Sequence, residues 1–490
     1  MTNRYLAVDL GAESGRVMLG TLSDDRLDLK ELHRFANVPL SNERSLTWDL
    51  DALFREIKLG LVKAGQLGLS IDGVSVDAWG VDYVLLDEGG EIMPPAYHYR
   101  DPRNKAAAEE ILEQIPWEEI YEETGLQFID FNTLFQLAAE NPVRLQQASV
   151  ILPIADTFNN WLSGVMKTEF SVASTTQLYD PRKRRWSPRL LDILGIPPSK
   201  LPEIVSSGTA LGPLLPSIAE ETGLNGVEVV AGLSHDTGAA VAAVPVAEDS
   251  GDWAFLSSGT WSLIGTELRE PLINEHARSR NFTNEIGYGH RVRFLRNVIG
   301  LWLVQECRRR WAEQGMEYDY AELMKMANEA TPFAHLVDPD DERFFHPENM
   351  PAEIAGYCRE TNQDEPSTPG AFVRCVLESL ALLYRHRIRD LSELTGRKFT
   401  RLHVIGGGSR NELLNQFTAD ALGMPVVAGP AEATALGNVA AQALACGKLS
   451  SLEDARRKIA ESCDLRIHHP QDTNKWNSLA EKFAWPRAKT

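Results

Sequence analysis

The residue types best suited to moving a proton or holding a phosphate occur in short runs, each beside an apolar stretch. Ser234-His235-Asp236-Thr237-Gly238 follows VVAGL and opens an Ala-rich segment. A carboxylate at such a strand end, opening a helix, can take a proton from a hydroxyl. The same aspartate could simply cap the helix. Asp9-Leu10-Gly11-Ala12-Glu13-Ser14-Gly15-Arg16 sets an acid at a strand end, small residues behind it and a base at its close. Small residues let backbone N–H groups approach a phosphate, and the run serves equally as a plain hairpin turn. Ser257-Ser258-Gly259-Thr260-Trp261-Ser262 offers hydroxyls and N–H groups in a second turn of that form. Gly406-Gly407-Gly408 follows LHVI and precedes a helix. It gives bare backbone against which a base or ribose can lie, or a tight turn. Ser75 to Asp82 combines Trp79 and Gly80 with Asp77 and Asp82. That set can stack on a sugar and accept its hydroxyls, or form a hairpin around a core tryptophan. Asn297 and Gln305 in NVIGLWLVQEC are expected on one face of a helix. Amides there suit neutral hydroxyls and nucleotide edges.

Elements must hold these runs in place. Residues 4–22, 72–92 and 251–267 each read as strand, turn, strand, with Trp79-Gly80 at the turn of the second. Residues 227–244, 400–423 and 425–447 each read as strand, loop, helix. The strand–turn–strand unit recurs near residues 5 and 253, so two similar α/β halves are expected, with a boundary at 244–252. Residues 95–225 and 297–396 read as largely helical insertions, and 370–396 as the strongest helix, ending on Gly396.

A chain of 490 residues exceeds one core, so at least two domains are expected. A net charge of -20 repels phosphate backbones and anionic lipid, which excludes nucleic-acid and membrane partners. The start, MTNRYLAVDL, runs straight into a strand with no secretory leader, so a cytoplasmic protein is expected. No P-loop, dinucleotide-binding GxGxxG, HExxH or GxSxG pattern occurs in the right context. The cysteines, Cys307, Cys358, Cys375, Cys446 and Cys463, lack zinc-ligand spacing. Cys358 and Cys375 sit in two helical patterns joined by ETNQDEPSTPG, and a helical hairpin there could bring them within disulfide range.

The combination and order of DLGAESGR, SVDAWGVDYVLLD, YRDPRN, SHDTGAAV, LSSGTWSL, RNVIGLWLVQ, GGGSRN and AGPAEATALGN resembles the FGGY carbohydrate kinases, from residue 4 to about 445. The resemblance implies two ribonuclease-H-like, actin-like ATPase domains with ATP in a central cleft. Residues 1–244 would bind sugar and phosphate, and residues 245–490 nucleotide. Ala12, Glu13, Ser14, Gly15, Arg16, Thr260, Gln305 and Gly407 would match the family's ATP contacts. Gly80, His235, Asp236, Thr237 and Asn297 would match its sugar contacts, with Asp236 the proton acceptor. Asp9 would reach Mg²⁺ indirectly. Glu13 departs from the family, which often has Ser there; it is expected to face away or to approach phosphate only through Mg²⁺ and water. The implied reaction is ATP-dependent phosphorylation of L-rhamnulose at its 1-hydroxyl, with Trp79 offering an apolar surface to the sugar's methyl. L-fuculose or D-xylulose are alternative substrates. A non-catalytic actin-like ATP switch or sugar sensor is the farther alternative. Nothing in the residues sets the oligomeric state.

Overall fold

NRYLAVDL becomes strand β1 (Asn3–Leu10), with its last six residues buried. A near-continuous apolar run of this kind suits a central strand covered on both faces. In the computed structural model, residues 2–24, 26–42, 45–246, 252–345 and 347–483 are described. The chain divides into two units. The first holds Met1–Ala247, Glu267–Phe294 and Ala433–Cys463; the second holds Glu248–Thr266, Leu295–Glu432 and Asp464–Thr490. Two stretches beyond residue 245 thus pack with the first half. The expected boundary segment, 244–252, falls mostly on 247–251, outside the described residues.

In the first unit, β1 pairs antiparallel with β2 (Ser14–Leu22), which pairs antiparallel with β3 (Leu27–Ala36). On its other side β1 runs parallel to β4 (Gly73–Ala78), and β4 runs parallel to β6 (Glu228–Ala231). Strand β5 (Thr209–Pro213) closes that edge antiparallel, giving the order β5-β6-β4-β1-β2-β3. Helix α1 (Leu50–Gly65) starts at Asp49, whose side chain accepts from the Ala52 N–H. Its buried Leu53, Ile57, Leu61 and Ala64 repeat at helical spacing. Gly60 lets it approach β2: a Cβ there would stand 2.3 Å from a Val17 methyl. Val17 and Gly20, three apart on a strand, face opposite sides of the sheet. On the Gly20 side lies helix α7 (Ala433–Ala445), whose Val439 occupies the space of the missing Cβ.

The second unit repeats the plan. Strands β7 (Trp253–Ser258) and β8 (Trp261–Leu268) form an antiparallel hairpin. Strand β7 runs parallel to β10 (Arg401–Ile405), β10 parallel to β11 (Val426–Ala428), and β11 antiparallel to β12 (Arg466–His468). Helix α5 (Pro369–Thr395) begins at Thr368, whose hydroxyl accepts from the Ala371 N–H, and stops at Gly396 with φ 68°. A left-handed residue after the last turn is the usual glycine stop. Helix α6 (Glu412–Leu422) follows the triple glycine.

Two expectations fail. Residues 72–92 are not a hairpin: Tyr83–Leu86 leaves β4 and pairs with Val150–Pro153 instead. Nor do Asn297 and Gln305 share a helix. Asn297 lies on strand β9 (Val292–Ile299), and Gln305 on helix α4 (Trp302–Glu313). Four of the six buried positions from Val292 to Ile299 are β-branched or aromatic (Val292, Phe294, Val298 and Ile299), which favours a strand. Gly300 breaks it, because a Cβ there would meet Ser262 Oγ at 2.6 Å and Gly259 O at 2.8 Å. Among the described residues, no helix is long and apolar enough to cross a membrane.

Candidate active site

The first unit's site is built by strand register. Parallel pairing sets Asp9 beside Asp77, and Leu10 beside Ala78. An isolated bridge then sets Ala78 beside His235, with the Ala78 N–H donating to Ser234 O at 3.0 Å. Three acids therefore collect at the carboxyl ends of β1 and β4 and just beyond β6, where ligands bind in open α/β sheets.

Each acid is held differently. Asp9 is 4 % exposed, and its Oδ2 accepts from Arg16 Nη2 at 2.5 Å. Asp77 is fully buried; its Oδ2 accepts from Asn438 Nδ2 at 2.6 Å, and its Oδ1 has no hydrogen-bond partner among the described residues. Burial first, and the Asp9 charge second, push the Asp77 carboxyl well above the ordinary range. Asp236 opens helix α3 (Asp236–Ala242). Its Oδ1 accepts from the Thr237 N–H at 2.5 Å and the Thr237 hydroxyl at 3.1 Å, and lies 3.3 Å from His235 Nε2. Each of these contacts falls on Oδ1. Its side chain keeps 28 % of its surface open. Burial, then the Asp9 charge, raise its carboxyl to about 7, against the Thr237 hydrogen bonds and the Arg293 charge. Such a group is half ionised near neutrality, as a general base should be.

The turn between β1 and β2 is tied from inside. Gly11 N–H donates to Ser14 O, Asn37 N–H to Glu13 O, and Asn37 Nδ2 to Gly11 O, each at 2.9 Å. Gly15 is required by packing, since a Cβ would stand 2.3 Å from the Phe35 ring. Glu13 is exposed. Gly80 lies just past β4, and a Cβ there would meet the Thr175 side chain at 2.8 to 3.0 Å. Trp79 is not the sugar platform expected of it. It is 6 % exposed, its ring packs 4.2 Å from Trp48, and its Nε1 donates to Asp82 at 2.9 Å. The cause is Asp82, which also accepts from Trp48 Nε1, the Tyr99 N–H and Gln136 Nε2, and so draws the indoles into the core.

The second unit offers hydroxyls and open backbone in place of acids. Leu301 N–H donates to Gly259 O at 2.9 Å, and Gly300 and Trp302 N–H groups donate to Thr260 O at 3.1 and 3.2 Å. The Ser-Gly turn thus satisfies N–H groups at the start of α4, which fixes Thr260 relative to Gln305. Gln305 Oε1 is buried with no hydrogen-bond partner among the described residues. The three glycines have separate reasons. Gly406 takes φ 81°, and a Cβ on Gly408 would stand 2.0 Å from Ser258 Oγ. A Cβ on Gly407 would meet nothing within 4 Å. Gly407 is therefore the glycine whose bare face the protein itself does not use. Asn297 is half-buried on β9.

The expected residues thus fall into two sets. Asp9, Ala12 to Arg16, Gly80 and His235 to Thr237 belong to the first unit; Thr260, Asn297, Gln305 and Gly407 belong to the second. Sequence reading gave no role to Asn37, Asn438, Arg293 or the Glu169–Ser171 pair, which supports the backbone of Ser234 and His235. Arg293, a charge near the start of the apolar-rich run VRFLRNVI, was the one visible signal. Among the described residues no group of three or more His, Cys, Asp or Glu side chains could hold a metal ion. Cys358 and Cys375 are buried free thiols close enough to act on one another: Cys358 and burial hold the Cys375 thiol well above its ordinary range, and Cys375 lowers that of Cys358.

The FGGY family of carbohydrate kinases matches twice: its N-terminal domain over residues 4–242 and its C-terminal domain over residues 254–446. A rhamnulokinase of Bacteroides thetaiotaomicron is 42 % identical over 486 residues, 99 % of each chain. A rhamnulokinase of Bacillus subtilis is 38 % identical over 98 % of each chain. Among solved structures, gluconate kinase from Lactobacillus acidophilus superposes with a TM-score of 0.80 at 15 % identity, over 98 % of this chain and 96 % of that one. Xylulose kinase from Rhodospirillum rubrum gives 0.78 at 18 %, over 99 % and 97 %. At such identities the solved structures speak for the two-domain α/β fold alone.

Proposed function

The chain belongs to the FGGY family of carbohydrate kinases, and from that premise we propose that it transfers the γ-phosphoryl group of ATP to the 1-hydroxyl of L-rhamnulose. The observation that carries the proposal is the state of Asp236. One carboxylate oxygen is held by Thr237 and His235, the side chain stays partly open, and the carboxyl sits at about 7. The rhamnulokinase name shared by full-length relatives supports the choice of sugar.

Asp236 Oδ2 takes the proton of the 1-hydroxyl. The sugar oxygen forms a bond to the γ-phosphorus while the bond to the β–γ bridging oxygen breaks, and ADP leaves. Gly80, His235, Thr237 and Asn297 are the proposed sugar contacts. Ala12 to Arg16, Thr260, Gln305 and Gly407 are the proposed ATP contacts; the open face of Gly407 and the buried Gln305 Oε1, without a hydrogen-bond partner among the described residues, support them. Sugar and phosphate binding are assigned to residues 1–244, and nucleotide binding to 245–490. Mg²⁺ carried by the nucleotide would neutralise phosphate charge when bound. It would need only one or two protein carboxylates; Asp9 would reach it indirectly, alongside Asp77, whose Oδ1 has no hydrogen-bond partner among the described residues. A cytoplasmic location follows from the use of ATP.

Trp79 is buried, so recognition of the sugar rests on polar groups. A buried polar group left without its hydroxyl costs about 1–3 kcal/mol, so two mismatches suppress kcat/KM by roughly 30- to 10⁴-fold. An ADP-release assay with L-rhamnulose, L-fuculose, D-xylulose and glycerol tests this. L-rhamnulose should give the highest kcat/KM. A better D-xylulose or glycerol rate would defeat the sugar assignment, and no sugar-stimulated ADP release would defeat the kinase reading.

A further inference from the structure

The first unit contains a buried series of polar groups leading to Asp236, of which the reaction above leaves Glu285 and Arg293 unused. Glu285 Oε2 lies 3.1 Å from Arg293 Nη1. Arg293 Nη2 lies 2.9 Å from His235 Nδ1, and His235 Nε2 lies 3.3 Å from Asp236 Oδ1. Arg293 is fully buried, with its Nε and Nη2 also donating to Ile286 O at 3.3 and 3.2 Å. Replacing a buried ion pair by apolar residues is often neutral or stabilising, so stability alone does not call for this one.

The chemistry of the 2.9 Å contact is one-sided. A guanidinium has donors and no acceptor, so Nδ1 must present its lone pair. A neutral imidazole then carries its proton on Nε2, the nitrogen facing Asp236. Burial, and the nearby guanidinium, hold this ring well below the ordinary histidine range, which keeps it neutral. Two other groups face it. Glu285 Oε2 stands 3.6 Å from Nδ1, too far to hold a proton there. Ser171 Oγ accepts from the His235 backbone N–H at 3.1 Å and does not touch the ring's choice.

We propose that Arg293, held by Glu285, is a positioning residue that locks His235 in the Nε2–H tautomer. His235 is then a hydrogen donor beside Asp236 and never a competing base. With the proton on Nδ1 instead, a lone pair on Nε2 would face the Asp236 carboxylate, and the sugar would lose a donor. This inference deepens the proposed kinase reaction and rests on it for its kinetic consequence.

Histidine-selective ¹⁵N NMR of the full chain tests it, with the His235 signals assigned through His235→Gln. The wild type should show His235 neutral, protonated on Nε2. In Glu285→Gln/Arg293→Met, which removes both buried charges together, the Nδ1–H form should appear. That variant should lose about 10- to 100-fold in kcat, the range seen for residues that orient a reacting group, with KM for ATP nearly unchanged. Arg293→Lys, which keeps a donor for Nδ1, should recover part of the rate. His235→Gln, whose amide reaches the Nε2 position, should outperform His235→Asn. An Nδ1–H or doubly protonated His235 in the wild type, or an unaltered tautomer in the folded double variant, would overturn the proposal. The NMR readout needs no turnover, so it stands apart from any failure of the sugar assignment.

Discussion

Strands β1 and β2 meet at a turn running from Leu10 to Gly15, and β7 and β8 meet at a turn running from Ser258 to Ser262. In both units the first strand of the hairpin runs parallel to the next strand, that strand runs parallel to a third, and an antiparallel edge strand follows. The side chains at the corresponding ends differ in kind. In the first unit the strands end just past Asp9, just past Asp77 and a short loop before Asp236. In the second they end at Ser258, before Gly406 and before Gly429. One backbone plan therefore carries carboxylates at the strand ends of one unit, and hydroxyls and glycines at those of the other. The fold sets where a ligand can approach, and the residues at the strand ends set what happens to it.

The comparison breaks most sharply at Asp236. Asp236→Asn keeps the shape but cannot take a proton, so kcat should fall by roughly 10²–10⁴-fold while sugar binding largely survives. Steady-state kinetics and sugar titration check both halves. In the second unit, Gly407→Val should act on binding instead. Its side chain enters space that the protein leaves empty, so the fold should hold while KM for ATP rises about tenfold, or ~1.4 kcal/mol. Gly408→Ala sharpens the contrast. Its Cβ would strike Ser258, so it should destabilise the chain by roughly 1–3 kcal/mol, read as a lower denaturation midpoint. The smallest effect concerns Cys358 and Cys375, which mild oxidation should join into a disulfide that slightly raises thermal resistance. Peptide mapping of unreduced protein checks it, and two free thiols after oxidation would reject it.

The sheets were legible in the sequence because apolar strands ended by Asp, Ser or Gly turns are local signals. NRYLAVDL, DWAFL and RLHVI all form the expected strands. The errors arose where a distant partner decided the outcome. Tyr83–Leu86 pairs with Val150–Pro153, some seventy residues away in sequence, and no local pattern announces such a partner. Asn297 was placed on an amphipathic helix with Gln305, although the stretch VIGLWLV between them is too uniformly apolar for its period to separate strand from helix; packing of Gly300 against the Ser-Gly turn decided it. Trp79 looked available because its Nε1 partner, Asp82, is only three residues away in the same run, while its ring partner, Trp48, is not. Asp236 was legible as a candidate base. Its raised carboxyl was not, since that depends on burial and on Asp9, brought near by strand register.

The pH dependence of kcat/KM for L-rhamnulose between about pH 5.5 and 8.5 tests the central claim most directly. The base must be ionised to act, and burial together with the Asp9 charge sets the Asp236 carboxyl at about 7. Activity should therefore be present above pH 7 and fall about tenfold per unit as pH drops below it, and Asp236→Asn should lose that limb. A flat profile down to about pH 5.5 would contradict the raised Asp236 carboxyl, and the same limb persisting in Asp236→Asn would contradict the assignment of Asp236 as the base.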